Sequence, residues 1–212
     1  MSFPAKKLDV ELPTNGGCSW VLCGSSRSGK SSLMKFLVKE FYTKAATVMF
    51  SQNLHTDIYK DMSKDIIVTD KFLPQLLTEA HEINSKCDNT VKWLFISDDY
   101  VGFDVKNSME ITKLLTIYRN ANMSSIFSFQ HRTLISPTGR AQVNYIAIFA
   151  QQTPKNWKNM IDEFLDCWLP MTMTMPEKIA WCKEATKDHQ FLFIDNIKGE
   201  CYISKLFGKQ LS

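Results

Sequence analysis

Short apolar runs alternate with amphipathic stretches along most of this chain. Trp20–Cys23, Ala45–Phe50, Ile66–Val68, Val91–Asp99, Ser125–Gln130 and Tyr145–Phe149 are short and largely apolar, as strands buried on both faces are. Between them, apolar residues recur at helical spacing. Leu33, Phe36, Leu37 and Phe41 form one such face, and Ile111, Leu114, Leu115 and Tyr118 another, within a helix predicted from Asn107 to Arg119 with Asn107 or Ser108 as cap. A third helix is predicted to begin at Asp70, with Phe72, Leu73, Leu76, Leu77 and Ala80 inward and Pro74 in its first turn. Strand and helix in alternation predict an α/β domain with a mostly parallel sheet.

The ends of the chain read differently. Residues 1–17 form an N-terminal edge segment broken by Pro4, Pro13 and Gly16-Gly17. Leu8, Val10 and Leu12 alternate with charge, which predicts a short edge strand from Leu8 to Leu12. Residues 18–212 form the main domain. After Thr153-Pro154, the residues Trp157, Met160, Ile161, Phe164, Leu165 and Trp168 predict a helix whose apolar stripe packs in the core, a partner surface being the alternative. Met171, Met173 and Met175 alternate between Pro170 and Pro176 and read as a strand-like core segment. Thr174 and Glu177 have capping-box spacing for a helix reaching about Thr186.

Composition narrows the class. The chain has 212 residues, 44% of them hydrophobic, which suits one α/β domain with a sizeable core. A net charge of +3 permits a nucleic-acid partner without requiring one. The six cysteines make no C-x-x-C pair, and Cys167, Cys182, His189 and Cys201 have no zinc-site spacing. With no secretory signal, they predict reduced thiols in an intracellular protein. No apolar run reaches the ~20 residues of a membrane span.

One stretch carries explicit chemistry. Gly24-Ser25-Ser26-Arg27-Ser28-Gly29-Lys30-Ser31 fills every fixed position of G-x-x-x-x-G-K-[ST], between a predicted strand and a predicted helix. Gly24 and Gly29 allow close backbone approach to a polyphosphate. Backbone N–H groups from Gly24 through Ser32 and the helix N-terminus would then point at ATP phosphates. Lys30 would reach the β- and γ-phosphates, and the Ser31 hydroxyl would bind Mg²⁺.

Two later strands end in residues suited to the same site. Val91–Asp99 is an apolar run closing on two carboxylates, the Walker B pattern. A parallel strand delivers its C-terminal residues to the sheet edge where ligands bind. Asp98 would hold Mg²⁺, usually through water, and Asp99 would orient or deprotonate the attacking water. The Ser125–Gln130 strand brings Gln130 to that edge, where an amide can hold the water or report on the γ-phosphate.

With these residues in order, the chain resembles the HerA/FtsK superfamily of DNA-pumping ATPases. It is most similar in size and wording to the genome-packaging ATPases of large eukaryotic DNA viruses and their virophages. The resemblance is carried by Gly24–Ser31, Leu94–Asp99, Arg119–Gln130, Ile135–Phe149 and the closing segment Phe191–Phe207, which looks like the family's final hairpin with a turn at Lys198-Gly199. It implies a P-loop NTPase fold of the additional-strand, RecA/FtsK-like type. It further implies Mg²⁺-dependent ATP hydrolysis by a homo-oligomeric ring that moves double-stranded DNA into a preformed capsid. Partners would be DNA phosphates, without sequence preference, and a capsid vertex protein at an assembly site in the host cell. The family pattern makes Arg119 the finger supplied to a neighbouring subunit, with Arg132 and Arg140 as alternatives. Two departures stand out: Asp99 replaces the glutamate of many relatives, and Arg27 occupies a loop position where small residues are common. A small-molecule kinase or a nucleotide-gated binding module remain the alternatives. Asp99 and Gln130 weigh against the first, and the lack of an Asn-Lys-x-Asp stretch against the second.

Overall fold

Eight strands form one sheet in the order β3-β2-β4-β5-β1-β6-β7-β8. The strands are β1 (Ser19–Cys23), β2 (Ala46–Ser51), β3 (Ile66–Thr69), β4 (Trp93–Asp98), β5 (Met123–Phe129), β6 (Tyr145–Ile148), β7 (Phe191–Asp195) and β8 (Glu200–Ser204). From β3 across to β6 every pairing is parallel, and β7 and β8 close the sheet as an antiparallel hairpin. The helices are α1 (Lys30–Phe41), α2 (Gln75–Lys86), α3 (Met109–Thr116), α4 (Pro137–Arg140), α5 (Pro154–Met160) and α6 (Met175–Ala185). The computed structural model describes residues 3–52, 62, 66–99, 108–130 and 135–206.

Strand periodicity divides the core in two. On β4, Leu94 and Ile96 face one side and Phe95 the other; on β5, Ile126 opposes Phe127 and Phe129. One face packs under α1 through Leu33, Met34, Leu37 and Val38. The opposite face is covered by α2, α3, α5 and α6, with Leu77, Leu114, Trp157 and Cys182 at the contacts. Helices on both faces of a parallel sheet explain why the central strands read as continuous apolar runs. The nucleotide loop and the residues that follow β4 and β5 gather at the C-terminal strand ends.

Several boundaries depart from the pattern. Leu8–Leu12 forms no strand. Leu8 is buried against the α1-side core, with Val10 and Leu12 partly so, but this backbone makes no ladder. The edge of β8 is met instead by a bridge from Ala5 to Ile203, with Lys6 N–H donating to Ile203 O at 3.0 Å. The helix predicted from Asp70 begins at Gln75, with Pro74 as its N-cap. Phe72 still packs edge-on against Phe50, their centroids 5.1 Å apart. Ser108 caps α3 by accepting from Ile111 N–H at 3.3 Å. That helix ends at Thr116, then tightens to a 3₁₀ turn at Tyr118–Ala121 before left-handed Asn122 (φ 55°).

The stripe from Trp157 to Leu165 is buried core, as packing required, although Ile161–Leu165 is wound as a π-helix. The methionine segment is a turn and no core strand, and Met171 is 96% exposed. Prolines at both ends deny it ladder hydrogen bonds. The Thr174–Glu177 capping box forms, with Thr174 N–H and Oγ1 both 2.7 Å from Glu177 Oε2. These bonds hold the Glu177 carboxyl below its ordinary range.

Candidate active site

The loop after β1 is fastened on both sides. Gly24 N–H donates to Phe129 O (3.2 Å), and both the N–H and the hydroxyl of Ser25 donate to Ala150 O (3.0 and 2.8 Å). A β-carbon at Gly24 would stand 2.6 Å from Ser28 Oγ and 2.7 Å from Phe149 Cβ. Gly29 has φ 112°, a left-handed backbone that glycine adopts without strain, and the Phe149 ring lies 3.2 Å from where its β-carbon would be. Phe149 therefore fills the floor of the loop, and its ring contacts Phe191 of β7 with centroids 4.9 Å apart.

α1 starts at Lys30 with no side-chain cap and no acidic residue in its first turn. Its leading N–H groups and dipole are thus not neutralised by an acidic side chain of that turn, the condition for holding an anion. Ser28 Oγ is buried in the loop without a hydrogen-bond partner among the described residues. Ser26 and Arg27 are exposed at the tip, Arg27 with left-handed φ 60°, while Ser31 is half-buried and Ser32 exposed in the first turn of α1.

Three predicted catalytic side chains converge here. Lys30 is only 4% exposed. Its Nζ donates to Gly24 O (2.8 Å) and Ser25 O (3.0 Å) and stands 3.7 Å from Asp99 Oδ2. Asp99 lies just past β4 with φ 44°, and its N–H donates to Ser128 O at 2.9 Å. Aspartate tolerates this left-handed turn better than most residues. The turn swings the carboxylate back toward the loop. Gln130, just past β5, donates from Nε2 to the same Oδ2 at 3.4 Å. Asp99 Oδ1 is buried without a partner among the described residues.

Asp98, 7% exposed, ends β4 on the face that α1 covers. A half-buried serine hydroxyl at the head of α1 and this carboxylate are hard oxygen donors suited to Mg²⁺. The residues present therefore fit that ion.

The arginines separate clearly. Arg119 sits in the 3₁₀ turn before β5, at the opposite end of the sheet from the loop; seven strand residues span roughly 20 Å. Among the described residues its one side-chain hydrogen bond runs from Nη2 to Gln142 Oε1 at 3.5 Å. It does not join the site of its own chain. Arg140 is tied inward, with Nε to Glu163 Oε1 at 2.7 Å and Nη1 to Ile135 O at 2.6 Å. His131 and Arg132 lie outside the described residues. Lys155 and Lys158 are exposed on α5. Sequence reasoning missed the supporting roles of Phe149 and Ala150, because their contacts arise only when β6 pairs with β1. No helix among the described residues is long and apolar enough to cross a membrane.

Fold and site together define a P-loop NTPase in which β5 separates the loop strand β1 from the carboxylate strand β4. Comparison with solved structures finds the same architecture in several proteins. The chain superposes on the DNA-packaging ATPase B204 of Sulfolobus turreted icosahedral virus with a TM-score of 0.65, at 19% identity, over 92% of this chain and 100% of that one. The genome-packaging NTPase B204 of Sulfolobus turreted icosahedral virus 2, in complex with AMPPCP, gives 0.62 at 18% identity, over 91% and 99% of the two chains. The pCW3 conjugation coupling protein TcpA gives 0.61 at 12% identity, covering 92% of this chain and 61% of TcpA. In sequence, the uncharacterized protein 088R of Invertebrate iridescent virus 3 is 25% identical over 203 residues, 92% of this chain and 74% of that protein. No family model matches. The likeness to these solved structures is one of fold.

Proposed function

We propose that this chain is the ATPase of a viral DNA-packaging motor. It hydrolyses ATP with Mg²⁺, assembles as a homo-oligomeric ring, and drives double-stranded DNA into a preformed capsid while docked on a capsid vertex protein. The observation that carries the hydrolytic reading is the convergence of Lys30, Asp99 and Gln130 from three separate elements at one sheet edge. Two B204 structures of this fold are of proteins described as packaging enzymes, one holding AMPPCP.

The chain's own groups divide the chemistry. Loop N–H groups and the first turn of α1 bind the phosphates, and Lys30 leaves its loop carbonyls for β- and γ-phosphate oxygens. Asp99 accepts the proton of the attacking water, while Gln130 orients that water from the other side. Asp98 and Ser31 hold Mg²⁺, which when bound neutralises developing phosphate charge. Arg119 points away from its own site and is available to a neighbour, where a finger is worth roughly 10³ to 10⁵ in rate.

The test is phosphate release by purified protein with and without double-stranded DNA, alongside its mass in solution with nucleotide. DNA-stimulated turnover by an assembled ring is the expected result. Turnover only with a nucleoside or sugar acceptor would overturn the motor reading.

A further inference from the structure

Strand register brings three polar side chains into one row beneath the loop. Ser51 ends β2 opposite Asp98, and Asp98 lies opposite Ser128 of β5. The three are 1%, 7% and 2% exposed. They share the α1 face, because Met49, Ile96 and Ile126, two positions earlier on each strand, all pack with Leu33 and Met34 of α1. Neighbouring strands lie about 4.8 Å apart, so each serine is in reach of the carboxylate's surroundings. Ser128 Oγ is buried and has no hydrogen-bond partner among the described residues. A buried hydroxyl without a partner is costly, and alanine would fill the same space without that cost. Ser31 stands in the first turn of α1, the helix that covers this face.

We propose that Ser128, with Ser51 on the other flank of Asp98, is a positioning residue for the water shell of the Mg²⁺ ion. The inference rests on the reading of Asp98 as the magnesium carboxylate. Mg²⁺ dehydrates reluctantly and keeps several waters, and each ordered water needs an acceptor to orient it. A serine hydroxyl offers two lone pairs and one donor, so it can accept a hydrogen bond from a water or donate one to Asp98. Ser128 touches neither the nucleotide nor the reacting atoms in this role. It acts through the waters, as outer-shell groups do at other metal sites, where their loss costs about 10- to 100-fold in metal affinity.

The test reads metal dependence apart from catalysis. A fluorescent ADP analogue is titrated onto the protein in EDTA and at rising Mg²⁺, and Mn²⁺ binding to the protein–ADP complex is followed by electron paramagnetic resonance. Ser128→Ala is expected to raise the half-saturating Mg²⁺ and Mn²⁺ concentrations about tenfold or more. Affinity in EDTA stays at the wild-type value, and the melting temperature does not fall. Ser51→Ala shifts the metal curve in the same direction, and is read by the same criterion should Ser128→Ala fail to fold. Ser124→Ala, on the same strand and face but bonded to Cys18 N–H, leaves the curve in place. Wild-type metal curves in Ser128→Ala and Ser51→Ala, beside a clear Mg²⁺ dependence in the parent, reject the inference alone. A parent protein whose nucleotide affinity ignores Mg²⁺ rejects the magnesium reading of Asp98 and this inference together.

Discussion

Lys30 Nζ stands 3.7 Å from Asp99 Oδ2, so the residue meant for phosphate and the residue meant for water already face each other across the site. The pair is asymmetric, with the lysine side chain 4% exposed and the aspartate 36%. An ion pair open to solvent on one side is worth about 1 kcal/mol or less. That is weak enough for a triphosphate, with several charged oxygens, to draw the ammonium away. Nucleotide binding would then release the Asp99 carboxylate for the attacking water.

Lys30→Ala removes the one buried ammonium at the loop. Phosphate release is expected to fall by at least about 10²- to 10³-fold, the range for deleting one charge-stabilising donor. A malachite-green assay on the assembled protein checks this. Normal turnover in the variant would refute the site.

Asp99→Asn keeps the size and the left-handed turn, which asparagine also tolerates. Nucleotide binding should persist by fluorescence titration while cleavage drops about 10²- to 10⁴-fold, the worth of a general base. Unchanged cleavage would reject the assignment.

Arg119→Ala and Arg140→Ala should fail in different ways. Among the described residues Arg119 makes one long side-chain contact, to Gln142, so its loss should leave melting within about 0.5 kcal/mol of wild type. The assembled activity should nevertheless collapse, and mixed rings with Lys30→Ala subunits should show which subunit supplied the arginine. Arg140 holds Glu163 and a backbone carbonyl from a side chain only 13% exposed. Its removal is expected to cost about 2–3 kcal/mol, seen as a lower melting temperature. Full stability in Arg140→Ala would overturn this division.

Cysteine labelling probes the core directly. Burial pushes the Cys182 and Cys201 thiols up to about 12, and raises Cys18 and Cys23 as well. The thiolate is the reactive form. At pH 8, iodoacetamide should modify exposed Cys87 and Cys167 in the folded protein and all six cysteines in denaturant, as read by intact mass. Rapid native labelling of Cys23 would contradict the packing under the loop.

The nucleotide loop, the strand ends and the capping box were legible because each depends on neighbours in sequence. Gly24–Ser31 needs only its own spacing, and Thr174 finds Glu177 three residues on. The failures share a different cause. Alternation at Leu8–Leu12 marks a buried face, but the free backbone of β8 is already met by Ala5. Spacing cannot report which edge is available. The Ser51–Asp98–Ser128 row was equally hidden, because register between β2, β4 and β5 exists only once the sheet is assembled. The Arg140–Glu163 pair was hidden for the same reason, its two members lying 23 residues apart.

Phe149 carries a consequence for how the molecule can be cut. Its ring is the floor under Gly24 and Gly29, and that floor leans on Phe191 at the head of the closing hairpin. The last strands thus serve as backing for a loop that precedes them by more than a hundred residues. A truncation that removes the hairpin takes away the surface against which the phosphate cradle is moulded, and loss of nucleotide should be its first symptom.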